Sequence, residues 1–167
     1  DAFILERLAS VGLGYCPEAE KPTLLRRACY DLLGLPPTPN LIDSFIADDH
    51  PDAYNRLIER LLESPHYGER WGRYWLDAAG YSDVTGTDND AGIVRVREGI
   101  WRYRDYVVRA FNSDKPYNQF LVEQLAGDQI VDWRNVKEDH YSPRVLDCLI
   151  ATGFLRTSID DTTEAEL

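Results

Sequence analysis

Three aspartates, Asp83, Asp88 and Asp90, fall close together in a stretch that also holds Asn89, Gly86 and Gly92. Several carboxylate and carbonyl oxygens on a turn are what calcium takes as ligands. The stretch lacks the closing bidentate glutamate of an EF-hand, because Glu98 falls at the wrong offset. Calcium binding and a solvated acidic loop both fit these residues. Zinc is disfavoured, since Cys16, Cys29, Cys148, His50, His66 and His140 are scattered without paired spacing.

A second cluster is aromatic and basic. Trp71, Tyr74, Trp75, Tyr81, Trp101, Tyr103 and Tyr106 lie among Arg70, Arg73, Arg102 and Arg104. Flat aromatic faces bury much area at little entropic cost, so Trp71, Trp75 and Trp101 are candidate contacts for a sugar or a partner's surface. The alternative is that Trp71 and Trp75, four residues apart, are core. Asp77 stands one turn beyond Arg73, either as an acid for hydrolysis or as an arginine's partner. No Ser-His-Asp or Cys-His arrangement, phosphate loop or dinucleotide fingerprint is recognisable, so no catalytic residue is assigned.

Helices must position these groups. Apolar residues recur at helical spacing in Leu25-Ala28-Cys29-Leu32-Leu33 and in Tyr54-Leu57-Ile58-Leu61-Leu62. Similar stripes run through Leu41–Ile46, Tyr67–Ala78, Ile100–Phe111, Tyr117–Leu125 and Val145–Phe154, with a weaker one at Phe3, Ile4 and Leu8. Thr38-Pro39, Ser64-Pro65 and Ser142-Pro143 each put a hydroxyl cap before a proline at the first helical position. Gly34 and Gly127 are expected as left-handed C-caps. Glu69 with Arg73, and Asp105 with Arg109, are expected as ion pairs one turn apart. The spacing predicts an all-α fold: a compact orthogonal bundle of about seven to eight helices over residues 1–156, then an acidic tail at 157–167. Residues 83–97 form one long acidic loop, with an extended piece at Ile93–Val96, and 128–141 form a second irregular link.

The chain has 167 residues with 44% hydrophobic content, enough for a core, and a formal charge of −11. That charge disfavours nucleic acid and anionic lipid as partners. No apolar run approaches a bilayer span. The chain contains no methionine and opens on Asp1 within a helical pattern, so it is read as an excerpt of a longer protein. Three unevenly spaced cysteines imply no disulfide framework. Cys29 and Cys148 fall on apolar faces and Cys16 in a loop.

The strings RRACYDLLGLPPTPN, YNRLIERLLESPHYGERWGRYWLDAAGYSD, WRYRDYVVRAFNSDKPYNQFLVEQLAGDQI and ATGFLR occur in this order. Together they resemble the planctomycete-type, cytochrome-associated helical domain of unknown function, the PSCyt-type module, over roughly residues 1–156. The sequence departs from that pattern at Tyr74, Gly80 and GTDNDAG. The resemblance implies a large exported protein with haem c elsewhere in the full-length polypeptide and an extracytoplasmic location, periplasmic or cell-surface. Covalent haem attachment requires Cys-x-x-Cys-His, which this chain does not contain. With no methionine, axial ligation would fall to His50, His66 or His140, each placed in a loop or at a helix start.

The reading that follows is a non-catalytic module that positions or contacts haem-bearing neighbouring domains in electron transfer. Its partners are those domains and a basic redox protein, attracted by the acidic surface. One alternative is part of an enzyme, carbohydrate-processing for example, whose site is completed downstream. Another is a calcium-stabilised interaction domain.

Overall fold

A computed structural model describes residues 1–86, 94–96, 98–135 and 141–157. Eight α-helices follow one another: α1 (Ala2–Ala9), α2 (Lys21–Leu33), α3 (Pro39–Ile46), α4 (Ala53–Leu62), α5 (Pro65–Ala78), α6 (Trp101–Asn112), α7 (Tyr117–Ile130) and α8 (Pro143–Ala151). A 3-10 turn, Thr152–Arg156, extends α8. Among the described residues the fold is all-helical apart from one small antiparallel ribbon, β1 (Val84–Gly86) with β2 (Val94–Val96), in which Val84 pairs with Val96. The expected extended piece is thus β2. Its partner β1 is too short to show a period in the sequence.

The starts of the helices follow from local chemistry. The hydroxyls of Thr38, Ser64 and Ser142 accept backbone N–H groups of Leu41, His66 and Val145, each at 3.4 Å, with proline at the next position. Each bond satisfies one amide that has no carbonyl within its helix. Gly34 ends α2 in the left-handed conformation, as expected. Gly127 does not cap a helix. It lies inside α7, one residue past Ala126, where φ −144° and ψ 25° kink the helix. The kink brings α7 against α8 so closely that a Cβ on Gly127 would stand 2.0 Å from the Cys148 carbonyl oxygen. Close approach, rather than helix termination, explains the glycine.

Two apolar clusters form the core. Leu25, Ala28 and Cys29 of α2 pack with Phe45 of α3 and Ala53, Leu57 and Leu61 of α4. Leu76 of α5 packs with Tyr103, Tyr106, Val107 and Ala110 of α6, Phe120 of α7 and Ala151 of α8. Contacts of α2 with α5 link the halves. Each buried leucine contributes roughly 1.5–3 kcal/mol relative to exposure. Cys29 and Cys148 are buried, and burial raises both thiol pKa values, whereas Cys16 is exposed. Thr157 is also buried, its hydroxyl donating to the Ala79 carbonyl at 2.6 Å just beyond α5.

Two expected ion pairs are replaced by others. Glu69 bonds His66 at 2.8 Å, and Arg73 lies 3.8 Å from Asp77. Arg109 reaches Asp147 of α8 at 2.7 Å, while Asp105 pairs with Arg104 at 3.2 Å. A tertiary partner or a nearer neighbour outcompetes a one-turn pairing worth only a few tenths of a kcal/mol. Helix α1 differs from the rest, because it buries none of its residues.

Gly127→Ala is expected to lower the stability to urea by at least about 1–3 kcal/mol, the usual cost of overpacking, because backbone rather than a movable side chain is in the way. An unchanged unfolding midpoint would show that α7 and α8 are not this close.

Candidate functional site

The densest chemistry lies where α5, α6 and α7 meet. Asn112, the last residue of α6, fixes the start of α5. The Gly68 N–H donates to its Oδ1 at 2.7 Å, and its Nδ2 donates to the Pro65 carbonyl at 3.0 Å. A Cβ at Gly68 would stand 2.4 Å from the Val108 carbonyl oxygen, so the glycine permits this approach. Further along α5, the Trp75 indole N–H is shared between the Tyr103 hydroxyl at 3.1 Å and Gln124 Oε1 at 2.9 Å. Tyr103 donates to the same oxygen at 2.6 Å, and Gln124 Nε2 donates to the Phe120 carbonyl at 3.1 Å. Burial pushes the Tyr103 hydroxyl pKa up to about 12, which keeps it a neutral donor.

The residue before Gln124 is a buried carboxylate. Glu123 of α7 is only 5% exposed and accepts from the Tyr106 hydroxyl at 2.7 Å, from Gln119 Nε2 at 2.8 Å and from the Lys115 ammonium. Burial alone would raise its pKa. The three donors outweigh that and hold it below the usual 4.5. Burial first, and the neighbouring Glu123 second, drive the Tyr106 hydroxyl well above its ordinary range. The Lys115 ammonium also lies over the Tyr106 ring, 4.8 Å from its centroid.

Lys115 belongs to the α6–α7 turn, which is a Schellman motif. The Lys115 N–H bonds the Ala110 carbonyl at 3.0 Å and the Asp114 N–H bonds that of Phe111 at 3.2 Å. Asp114 takes the left-handed position, φ 47°, where glycine is usual. Around this turn opens a hollow of about 220 Å³ lined by Tyr67, Trp75, Phe111, Asp114, Lys115, Tyr117 and Phe120, with Ala110 at its side. Trp75 meets Phe120 at 4.9 Å and Tyr117 at 6.4 Å between ring centroids, both edge to face.

A broader groove of about 590 Å³ runs between α5 and α6, lined by Glu69, Arg73, Arg104, Asp105 and Arg109 among others. Each of its arginines has a carboxylate partner: Asp77 for Arg73, Asp105 and Asp83 for Arg104, Asp147 for Arg109. Its charge is therefore largely balanced.

The candidate residues read from the sequence are dispersed. Asp83 accepts the Tyr81 hydroxyl and lies 3.6 Å from Arg104. Burial, reinforced by that carboxylate, raises the Tyr81 pKa. Asp88 and Asp90 lie outside the described residues, as does His140. Among the described residues, no group of three or more histidines, cysteines or acids is placed to hold a metal ion. The His50 ring accepts the Asp52 N–H at 3.1 Å in a tight local turn. Trp75 is half-buried in the α5–α7 contact, whereas Trp71 is 37% exposed between Tyr67 and Tyr74. Trp101 is 47% exposed, with the Arg102 guanidinium over its ring. No ring contact among the described residues joins the three tryptophans.

Sequence reasoning missed Asn112, Asp114, Lys115, Glu123 and Gln124. The available signal was Asp114-Lys115-Pro116, a helix stop with charge, followed by the adjacent acid and amide Glu123-Gln124 within an otherwise apolar stretch of α7.

Among the described residues, two packed helical clusters, one of them aromatic with a buried ion pair beside it, define a small all-α module. No described helix is long and apolar enough to cross a membrane. The chain belongs to the family described as PSCyt2, protein of unknown function (DUF1549), whose model matches residues 1–167. No curated protein and no solved structure matches the chain.

The Glu123 pKa is lower in the folded chain than in the unfolded one, so its contribution is fully present above the ordinary value of 4.5 and is lost as pH falls through the folded value. Glu123→Gln is expected to cost about 3 kcal/mol at pH 7, because Lys115 loses its buried counter-charge. The variant should also show a shallower loss of stability below pH 4.5 than the parent. Parallel acid-unfolding curves for the two proteins would contradict the assignment.

Proposed function

We propose that the chain is a docking module that positions neighbouring domains of a larger exported polypeptide. Helix α1 carries this reading. Phe3, Ile4 and Leu5 are 87%, 58% and 45% exposed, and Val11 and Leu13 in the following turn are 62% and 61% exposed. The Tyr15 hydroxyl bonds the Asp1 carbonyl at 2.6 Å, so the segment folds back on itself. Isolated helices shorter than about 12–15 residues are marginal in water, and α1 has eight. An apolar helix of that length gains its stability from a surface that covers it.

The occupant we favour is an adjoining domain of the same polypeptide, and the cytochrome element in the family's name supports haem c as its cofactor. An extracytoplasmic setting, periplasmic or cell-surface, accords with that context. The net charge of −11 suits electrostatic attraction of a basic redox partner, with binding that weakens steeply as salt rises. An enzymatic reading would centre on the α5–α6 groove, but the paired state of its arginines favours docking. Calcium bound through Asp83, Asp88 and Asp90 would add an interaction domain's rigidity to the same role.

Phe3→Glu with Ile4→Glu tests this. The double variant is expected to leave the melting temperature of the 167-residue chain within about 2 °C of the parent, since both side chains are already in water. In the full-length polypeptide it should cost roughly 3 kcal/mol or more of domain association and expose a protease-sensitive junction. A large loss in the 167-residue chain alone would show that α1 belongs to the bundle.

A further inference from the structure

A phenol that donates to a carboxylate loses an electron more readily than a phenol alone, because its proton has a base to go to. Among the described residues, Tyr106 alone is both buried, at 1% exposure, and bonded to a carboxylate, donating to Glu123 Oε2 at 2.7 Å. Packing does not require this pair. A phenylalanine at 106 would stack on Phe120, as Tyr106 does at 5.9 Å and 7°, with no O–H to satisfy. Replacing a buried ion pair by apolar residues is often neutral or stabilising, so Glu123 and Lys115 are not explained by stability either. Buried ionisable groups held together by specific partners are characteristic of functional sites.

The geometry ties the electron to the proton. Loss of one electron from Tyr106 makes its hydroxyl a strong acid. The O–H bond breaks, the proton passes to Glu123 Oε2, and a neutral phenoxyl remains beside a carboxylic acid. The Lys115 ammonium, 4.8 Å from the ring centroid, opposes a cation radical there, so the electron leaves only as the proton moves. Tyr103 lacks that outlet, because its hydroxyl donates to the Gln124 amide oxygen. Tyr81 has one in Asp83, but it lies nearer to solvent. The rings also supply a path inward. Tyr106 stacks on Tyr103 at 6.4 Å and 24°, and Tyr103 meets Tyr81 at 6.1 Å. Tyr103 accepts the Trp75 indole N–H at 3.1 Å, and Trp75 meets Tyr117, 66% exposed, at 6.4 Å. Every ring on these two routes is a tyrosine or a tryptophan, and so is itself oxidisable.

We infer that Tyr106 and Glu123 form a proton-coupled, one-electron redox site, loaded by a one-electron metal oxidant through Tyr81–Tyr103 or Tyr117–Trp75–Tyr103. This activity is separate from docking through α1.

Substoichiometric hexachloroiridate(IV) added to the full chain, followed by freezing and electron paramagnetic resonance, tests this. Radicals on exposed tyrosines couple between molecules and vanish, whereas one on the buried Tyr106 is shielded from such encounters. The parent is expected to hold a persistent neutral tyrosyl signal that narrows when tyrosine ring hydrogens are replaced by deuterium. In protein equilibrated with deuterium oxide, the signal should also lose its coupling to the proton that moved to Glu123. Tyr106→Phe should abolish the persistent signal. Glu123→Gln should abolish it with Tyr106 still in place, a loss that a tyrosine serving only as packing would not show. Trp75→Phe combined with Tyr81→Phe should slow its appearance. Each variant is compared below its own unfolding temperature. The proposal fails if the parent holds no persistent tyrosyl signal, or if the signal survives either Tyr106→Phe or Glu123→Gln. Unchanged loading in the double variant would refute the routes. Should a variant not fold, the exchangeable proton in the parent decides, and its absence overturns the pairing with Glu123.

Discussion

A carboxylate placed where water scarcely reaches sets the terms for the C-terminal half of this fold. Glu123 stays ionised because Lys115, Tyr106 and Gln119 all bring donors to it, and those donors come from the α6–α7 turn, from α6 and from α7 itself. Each must be in place for the charge to be tolerated, so the angle and register of α7 on α6 are constrained by chemistry as well as by fit. The neighbouring Trp75–Tyr103–Gln124 bonds extend the constraint to α5. Apolar packing alone would allow these helices to slide; shared polar atoms do not.

That arrangement explains why the two halves of the molecule differ. The α2–α4 cluster is built from leucine, alanine, cysteine and phenylalanine with few internal polar bonds. Around α2 and α3 the polar contacts lie at the surface, where Lys21 bonds the Asp48 carbonyl and Asp49, and Arg56 pairs with Asp48. The His50 N–H, with Arg56 beside it, keeps the Asp48 carboxyl below its usual range. In the α5–α8 half the polar groups are inside, and it is there that the aromatic hollow opens. The exposed apolar helix α1 belongs to neither cluster.

Much of the architecture was legible in the sequence because its determinants are local. A threonine or serine followed by proline caps a helix whatever the rest of the chain does, and Thr38, Ser64 and Ser142 all do so. The apolar stripes gave α2 to α8, since burial on one face repeats at a fixed spacing, while the weaker stripe that gave α1 stays exposed. Pairings across elements were not legible. Arg109 had a partner one turn back in Asp105 and took Asp147 of α8 instead. Gly127 carries the same letter whether it caps a helix or admits a neighbour's carbonyl, and only the kink at Ala126 decides between them. The Lys115–Glu123 pair spans a helix break, so no single helical period displays it. Of the candidate contacts, Trp75 reached the hollow and Trp71 and Trp101 did not share it, because ring placement depends on where α7 lands.

The two buried thiols have a use that follows from their positions. Cys29 lies in the α2–α4 cluster and Cys148 is buried on α8, where its backbone carbonyl approaches Gly127 of α7, while Cys16 is already in solvent. A thiol reagent reaches a shielded sulfur only when its surroundings part. Each half of the molecule therefore carries its own clock. Equal modification rates for the two would mean that the bundle breathes as one body, and unequal rates would rank which half loosens first.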